Sequence, residues 1–554
     1  MGRYLRLPIL LALLGTVLVL VILSQLVVRT STVLIPAEGG TYAEGAVGEP
    51  QWLNPVLSSF NEVDQDLCQL LFRGLTRVDE HLRIVPDLAE SWQVSGDGLE
   101  YTFTLRAGLK WQDGAPVTAE DATYTFRLMQ SPDFPGPPYL SDLWKQVEVE
   151  QIGPLQIRFT LSEPYAPFLD YTTMGLLPAH ALADVEAADL LQQSFNSSPL
   201  SNGPFMLERI AEGEIALEPN PYYEGPRPFL ERLVLKFYPG ESSVLAAYTD
   251  GEVDGIRFIS PENLKEAADL PDLNLYSAPR AEAVWLLLNT QNPSLDDARV
   301  RRALSLAIQR QAVIDEALQG QGIPLDGPLL PASWAYSAPA AQEDNDVSAA
   351  RELLSQAGWA DSDGDGLVDK DGEPLQLEIV VPDSAPFVGV AEQVALQWEE
   401  QIGVRGSVTP VPQAELANAY LRPRDFQVAL YRWMDISPDP DLYPFWHSTQ
   451  TSTDGQNFSS FSNRDADEIM EAARRTVDTA RRQELYARLQ EILREEAPAI
   501  FLYQPVYTMG VRDTVRGVTL AAVYTPSDRF RSIADWYVCT KRVIASQADA
   551  ASQR

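Results

Sequence analysis

Leu71-Phe-Arg-Gly-Leu-Thr-Arg77, Ile84-Val-Pro-Asp-Leu-Ala-Glu-Ser-Trp92, Tyr101-Thr-Phe-Thr-Leu-Arg106, Lys110-Trp-Gln-Asp-Gly114 and Val117-Thr-Ala-Glu-Asp121 follow one another in one short stretch. The apolar spacing of Val63–Gly74 suits a buried helix. In Tyr101–Arg106 the large residues Tyr101, Phe103 and Leu105 alternate with Thr102 and Thr104, the period-two pattern of a half-buried strand. Thr118 then opens a helix. Its hydroxyl can accept an orphan N–H while Asp121 reaches back, a capping box ahead of Thr123–Met129.

The same mixture continues outward from this stretch. Thr41–Asn54, with Gly45, Gly48 and Pro50, reads as a linker feeding a first strand and turn. Val147–Leu161 alternates like strand, Asn202-Gly-Pro-Phe205 turns into another, and Leu233–Tyr238 is a further one. Asp296 is placed to cap a long helix carrying Val300, Leu304, Ala307, Ile314 and Leu318. Ala349–Ala357 is a helix ended by Gly358. Asp465–Thr476 and Ala480–Glu496 form a helical pair dense in charge, and strand-like Ala499–Tyr507 follows. Helices and strands interleave throughout, so the fold class is mixed α/β.

Composition narrows the function. The 554 residues carry 42 Lys and Arg against 78 Asp and Glu, a net charge of −36. Such a field repels phosphate backbones and excludes a nucleic-acid partner. Two cysteines, Cys68 and Cys539, and three histidines cannot build a disulfide framework or a zinc cluster. A Cys68–Cys539 bond is chemically permitted outside the cytoplasm, although Cys68 lies in a buried-helix pattern.

Arg3 and Arg6 precede an uncharged, mostly apolar run from Leu7 to Val28, closed by Arg29. A helix of that length crosses a hydrocarbon core of about 30 Å. The preceding positive charge puts the N-terminus in the cytoplasm and the rest of the chain outside. Residues 1–30 are therefore expected to be an N-terminal transmembrane anchor, or a secretory signal removed after export. The anchor implies the extracytoplasmic face of the cell membrane, and signal cleavage a periplasmic or secreted protein.

Read together, the opening motifs resemble the signature region of the family 5 extracytoplasmic solute-binding proteins, the oligopeptide-, dipeptide- and nickel-binding components of ABC importers. The likeness continues through Asn202-Gly-Pro-Phe205, Asn220-Pro-Tyr-Tyr223, Leu288-Asn-Thr290, Asp297-Ala-Arg-Val-Arg-Arg-Ala303 and Gly358-Trp359. It implies a two-lobed, periplasmic-binding-protein-like fold with an extra inserted domain. Carried onto this chain, residues 39–60, 195–285 and 500–546 form lobe I, residues 61–194 the insertion, residues 286–499 lobe II and residues 547–554 a tail. The crossings between lobes are expected near Val284–Asn289 and Ala499–Gln504. The resemblance also implies a monomer that closes on a short peptide and delivers it to permease subunits driven by a cytoplasmic ATPase. An oligosaccharide or a nickel chelate is the alternative cargo, and a carboxylate-based hydrolase the alternative of another class.

Tyr431-Arg-Trp-Met-Asp435-Ile-Ser-Pro-Asp439-Pro-Asp441-Leu-Tyr-Pro-Phe-Trp446 displays rings and carboxylates from a proline-stiffened loop. It resembles the family's Trp-x-x-Asp loop, which implies that Trp433 and Asp435 face the ligand, Asp435 pairing with a peptide's amino terminus. The competing reading makes Asp435 a turn cap and the rings core. Trp285 in the presumed crossing strand, Trp52 and Asn54 near the cleft mouth, and His447 after the aromatic loop complete the ligand-binding candidates.

Asp361, Asp363, Asp365 and Asp369 have the spacing of a calcium loop, but Gly372 stands where an EF-hand needs its bidentate Glu. They could hold a structural calcium ion or simply cap their own turn. No other cofactor is expected. No Gly-x-Ser-x-Gly elbow, phosphate loop or His-Glu-x-x-His run occurs, so no catalytic residue is assigned.

Overall fold

The computed structural model describes residues 14–20, 32–339, 345–434 and 436–544. Its main feature is a sheet of twelve strands that both lobes share. Along it lie Arg405–Val411, Gln376–Pro382, Val428–Trp433, Ala283–Leu288, Ala499–Arg512, Gly255–Ile256, Thr41–Val47, Arg232–Tyr238, Glu214–Pro219 and Phe205–Ala211. Leu273–Pro279 and Gly322–Pro324 add to Ala499–Arg512 off this path.

One strand ties the two halves. The first residues of Ala499–Arg512 pair with Ala283–Leu288, and the stretch Val506–Arg512 pairs with Leu273–Pro279. The chain therefore crosses between lobes twice, side by side, and partners change at Arg280–Glu282 and Gln504–Pro505. Hydrogen bonding persists through the crossing: Arg280 N–H donates to Pro505 O at 2.9 Å, and Gln504 Nε2 donates to Arg280 O at 2.6 Å.

Ala283–Leu288 is apolar at every position because both of its faces are covered. Val284, Leu286 and Leu288 belong to one core cluster, and Ala283, Trp285 and Leu287 to the other. A third cluster joins residues 42–235 to 507–536. Within it a four-stranded sheet, Ala89–Val94, Glu100–Leu105, Gln156–Leu161 and Val147–Gly153, stands apart from the large one.

Local readings fare unevenly. Thr118 and Asp121 do form the capping box of helix Ala119–Gln130. Thr41–Asn54 is not a linker: Thr41–Val47 is an interior strand of the large sheet. Its Gly45 is needed for close packing, since a Cβ there would lie 2.7 Å from Val244 Cγ1. The long helix expected from Asp296 is two helices, Ala298–Leu306 and Arg310–Leu318, and the cap is Asp297. The apolar spacing runs on because the break itself is buried at Ala307 and Ile308.

Both cysteines are free, Cys68 buried in helix Glu62–Leu71 and Cys539 at the start of strand Cys539–Ile544. Residues 14–20 are helical, and the rest of the apolar run from Leu7 to Val28 lies outside the described residues. Among the described residues no helix is long and apolar enough to cross a membrane. The tail 547–554 is likewise outside them.

Candidate functional site

Strands Thr41–Val47 and Gly255–Ile256 run parallel and end side by side, so the residues just beyond them share one edge of the sheet. There Gly45, Val47, Glu62, Glu241, Arg257 and Phe258 line a cavity of about 290 Å³. Phe258 lies on the ring of Tyr507, centroids 5.9 Å apart, which puts the cavity next to the crossing strands.

A buried charge network supports this wall. Arg529, fully enclosed, donates to Glu44 (2.5 Å from Nη2) and to both Asp66 oxygens (2.7 and 2.8 Å). Arg257 donates from Nε to Asp66 at 2.5 Å and from Nη1 to Glu62 at 2.9 Å. Burial alone would raise the Asp66 carboxyl, but Arg257 and Arg529 outweigh it and hold it below the usual carboxylate range. Arg257 is 7% exposed, and among the described residues its Nη2 has no hydrogen-bond partner.

At the crossing itself Glu282, 2% exposed, receives two guanidiniums. Arg432 binds it through two bonds of 2.8 and 2.9 Å, and Arg280 reaches it at 2.5 Å. Burial lowers the Arg280 guanidinium, and Glu282 opposes that. A buried ionic cluster of one carboxylate and two guanidiniums thus sits at the crossing.

Farther out, the loop after Trp433 is fastened to the charged helix pair, Arg464–Arg475 and Thr479–Glu496. Arg482 clamps the Asp439 carboxylate through both terminal nitrogens. Arg474 grips Asp441 at 2.6 Å and lies 3.8 Å over the Tyr443 ring. Asp439 N–H reaches across to the Asp170 carboxylate at 3.3 Å.

The candidate residues fall in several places. Trp285 is fully buried, and Trp433 packs edge-on against it with ring centroids 5.3 Å apart. Asp435 lies outside the described residues. Only Met434 separates it from Trp433, so the residue three positions after the Trp is Ile436, which is buried and donates its N–H to Ala281 O at 2.8 Å. The loop is therefore one residue short of the Trp-x-x-Asp pattern. Asn54 is enclosed, with its amide donating to Asn196 Oδ1 at 2.9 Å. Trp52 is half-buried, and its N–H donates to Asp64 at 3.0 Å. His447 is buried in lobe II, stacked on Tyr443 and bonded to Thr449 at 2.8 Å. Trp285 and Trp433 come together, while Asn54, Trp52 and His447 make these contacts elsewhere.

Asp361, Asp363 and Asp365 are exposed and offer oxygens within 4.8 Å of one another. They already accept main-chain N–H groups of their own turn: Asp361 from Gly364 and Gly366, Asp363 from Asp365, Asp365 from Leu367. Asp369 is set aside from them and takes both bonds of Ser362.

Sequence reasoning missed Arg257, Arg529, Glu44, Asp66, Arg280, Glu282 and Arg432. The one available signal was an Arg inside an otherwise apolar strand end, Gly255-Ile-Arg-Phe258. Arg301 is buried, donates to the carbonyls of Leu295, Asp296 and Glu496, and pairs with the Glu496 carboxylate at 3.6 Å.

The family profile described as bacterial extracellular solute-binding proteins, family 5 Middle, matches residues 83–453. The oligopeptide-binding protein AppA of Bacillus subtilis is 29% identical over 91% of this chain and 92% of its own. Its structure with a nonapeptide superposes with a TM-score of 0.67, covering 91% of this chain and all of that one. A probable D,D-dipeptide-binding periplasmic protein of Escherichia coli is 28% identical over 85% of this chain and 90% of its own. NikZ of Campylobacter jejuni, solved with Ni(L-His), is 25% identical over 90% of this chain and 99% of its own, with a TM-score of 0.70.

Proposed function

Taking as premise that the chain belongs to the bacterial extracellular solute-binding proteins of family 5, we propose that it captures short peptides and hands them to an ABC permease. The observation that carries this reading is the double crossing at Arg280–Glu282 and Gln504–Pro505, with a ligand-sized cavity opening beside it on the first lobe. Two adjacent strands can flex together, and a solute touching both lobes stabilises the closed arrangement over the open one. Peptide cargo is supported by the relatives' names.

The apolar run from Leu7 to Val28 supports retention at the outer face of the membrane by an N-terminal helix, where a permease is within reach. The reading is of a binder without turnover. It is tested by thermal denaturation of the exported part with peptides, oligosaccharides and nickel–histidine, alongside chromatography for products. A rise in Tm with peptide and unchanged peptide supports it. Cleavage, or a response confined to another solute class, overturns it.

A further inference from the structure

Away from the crossing strands the two lobes meet a second time. The segment Ala166–Thr173 goes with the first lobe, since Phe168 packs in the cluster that joins residues 42–235 to 507–536. Opposite it stand the loop after Trp433 and the helix pair Arg464–Arg475 and Thr479–Glu496, whose Ile436, Leu442 and Leu485 belong to the cluster of Trp285 in the second lobe. Contacts of three kinds bridge the gap. Asp439 N–H donates to Asp170 Oδ2 at 3.3 Å, and the Arg474 guanidinium lies 5.9 Å over the Tyr165 ring. Val477 closes on the turn at Gly98, where a Cβ would lie 2.9 Å from Val477 Cγ2. Each side is packed into a different core, so parting the lobes breaks these contacts together.

The charges at this contact do not balance. Arg482 clamps Asp439 and Arg474 grips Asp441, so each acid of the second lobe has its own guanidinium. Asp170 brings a third carboxylate to the two guanidiniums, a net charge of −1, and receives a single main-chain N–H in return. Its Oδ1 is enclosed, with no partner among the described residues. The other groups around it are phenols: Tyr171 beside it and Tyr139 near Tyr171, Tyr101 near Asp439, Tyr165 near Arg474, and Tyr486 near Arg482. None of them supplies a positive charge. Burial first, and then the Asp439 charge, therefore raise the Asp170 carboxyl well above the usual range. In parted lobes the same carboxyl meets water and titrates as an ordinary aspartate. Closing thus takes up a proton. The shut form is favoured below the ordinary carboxylate value and loses ground as pH rises toward the raised one.

We propose that this contact is a proton-operated latch: the protonated Asp170 carboxyl holds the two lobes shut, and its ionised form lets them part. A captured solute is kept longer in acidic surroundings and released more readily near neutrality. The latch rests on the lobe closure of the reading above, but not on peptide as the cargo.

Double electron–electron resonance on the full chain without ligand tests it, with spin labels at Glu148→Cys in the first lobe and Glu491→Cys in the second, and Cys539→Ser to leave no other accessible thiol. From pH 7.5 to pH 5.5 the ratio of the short-distance to the long-distance population is expected to rise about tenfold. Asp170→Asn should hold the short distance at both pH values, its ratio moving by less than about threefold. Val477→Asp, a change at an exposed position against the Gly98 turn, should lower the ratio at pH 5.5 by about fivefold or more, because the added charge is driven to water. A parent ratio that does not move with pH, a pH response that survives Asp170→Asn, or a Val477→Asp ratio equal to the parent's overturns the latch. Peptide capture is decided separately, by the thermal test with peptides, and stands or falls without it.

Discussion

The main-chain N–H of Asp439 in the second lobe donates to the carboxylate of Asp170 in the segment before the first crossing, 3.3 Å away. One bond thus spans the two halves of the molecule. The Asp170 carboxyl is pushed well above the usual carboxylate range, first by burial and then by the facing Asp439 charge. The Asp439 N–H and Arg482 pull it back, but not far enough, and among the described residues its Oδ1 has no partner. Asp439 is itself raised by burial against the pull of Arg482.

An acid with a raised folded-state pKa binds its proton more tightly in the native protein than in the unfolded one. The stabilisation from its neutral form is present below the ordinary value and is lost as pH rises through the raised one. Asp170 therefore weakens the protein at neutral pH. Asp170→Asn is expected to raise Tm at pH 7.5 by about 1–2 °C. That gain should shrink as pH falls toward about 4. Differential scanning calorimetry across pH 4–8 checks it, and an unchanged or lowered Tm at pH 7.5 refutes it.

Asp66 predicts the opposite slope. Arg257 and Arg529 hold its carboxyl below the ordinary value, so its contribution is present above that value and lost as pH falls through the lowered one. Arg529→Met leaves Glu44 and Asp66 enclosed with half their partners gone. The expected loss is about 3–5 kcal/mol, since an uncompensated buried charge costs far more than an exposed pair contributes. Urea denaturation at pH 7 measures it, and a loss under 1 kcal/mol would mean that water reaches the network.

What could be read from the chain, and what could not, follows the range of the interactions. The Thr118–Asp121 capping box lies within one turn of helix, and the apolar alternation of Glu100–Leu105 is a property of neighbours; both stand in the structure as read. Thr41–Asn54 reads as linker because its glycines look like turn residues, whereas Thr41–Val47 is strand and Gly45 is small to admit Val244 from helix Glu241–Thr249. Arg529 meets Glu44 across 485 residues and Arg257 meets Asp66 across 191, spacings that no local pattern encodes. Trp285 is a candidate through the crossing strand and Trp433 through the resembled loop, but whether a ring faces ligand or core depends on which faces of its sheet are covered. Here both are.

The two cysteines give a simple chemical test of the packing. Burial, with Asp64 nearby, raises the Cys68 thiol well above its ordinary value, so little reactive thiolate forms there. Cys539 is partly exposed at the end of the molecule where Thr32–Ala37 pairs with Cys539–Ile544. Native protein is expected to titrate one thiol with a disulfide reagent within minutes, and denatured protein two, without prior reduction. Two fast thiols in the native state would place Cys68 in a mobile helix, and none in the denatured state would mean that the pair is bonded after all.

Trp285 separates a packing role from a binding role. Its ring touches Tyr431, Trp433, Phe445, Trp446 and Phe501, with centroids 5.3–6.0 Å apart, and none of it is exposed. Because its indole N–H has no acceptor among the described residues, replacing it with Phe removes volume without orphaning a partner there. Trp285→Phe should therefore cost about 1–2 kcal/mol and Trp285→Ala about 3–5 kcal/mol. Peptide affinity of the Phe variant should stay within about twofold of the parent, because the ring lies beneath the crossing strands and not in the cavity that Arg257 lines. A loss of affinity well beyond its loss of stability would place Trp285 against the ligand and move the floor of the cleft to the second lobe.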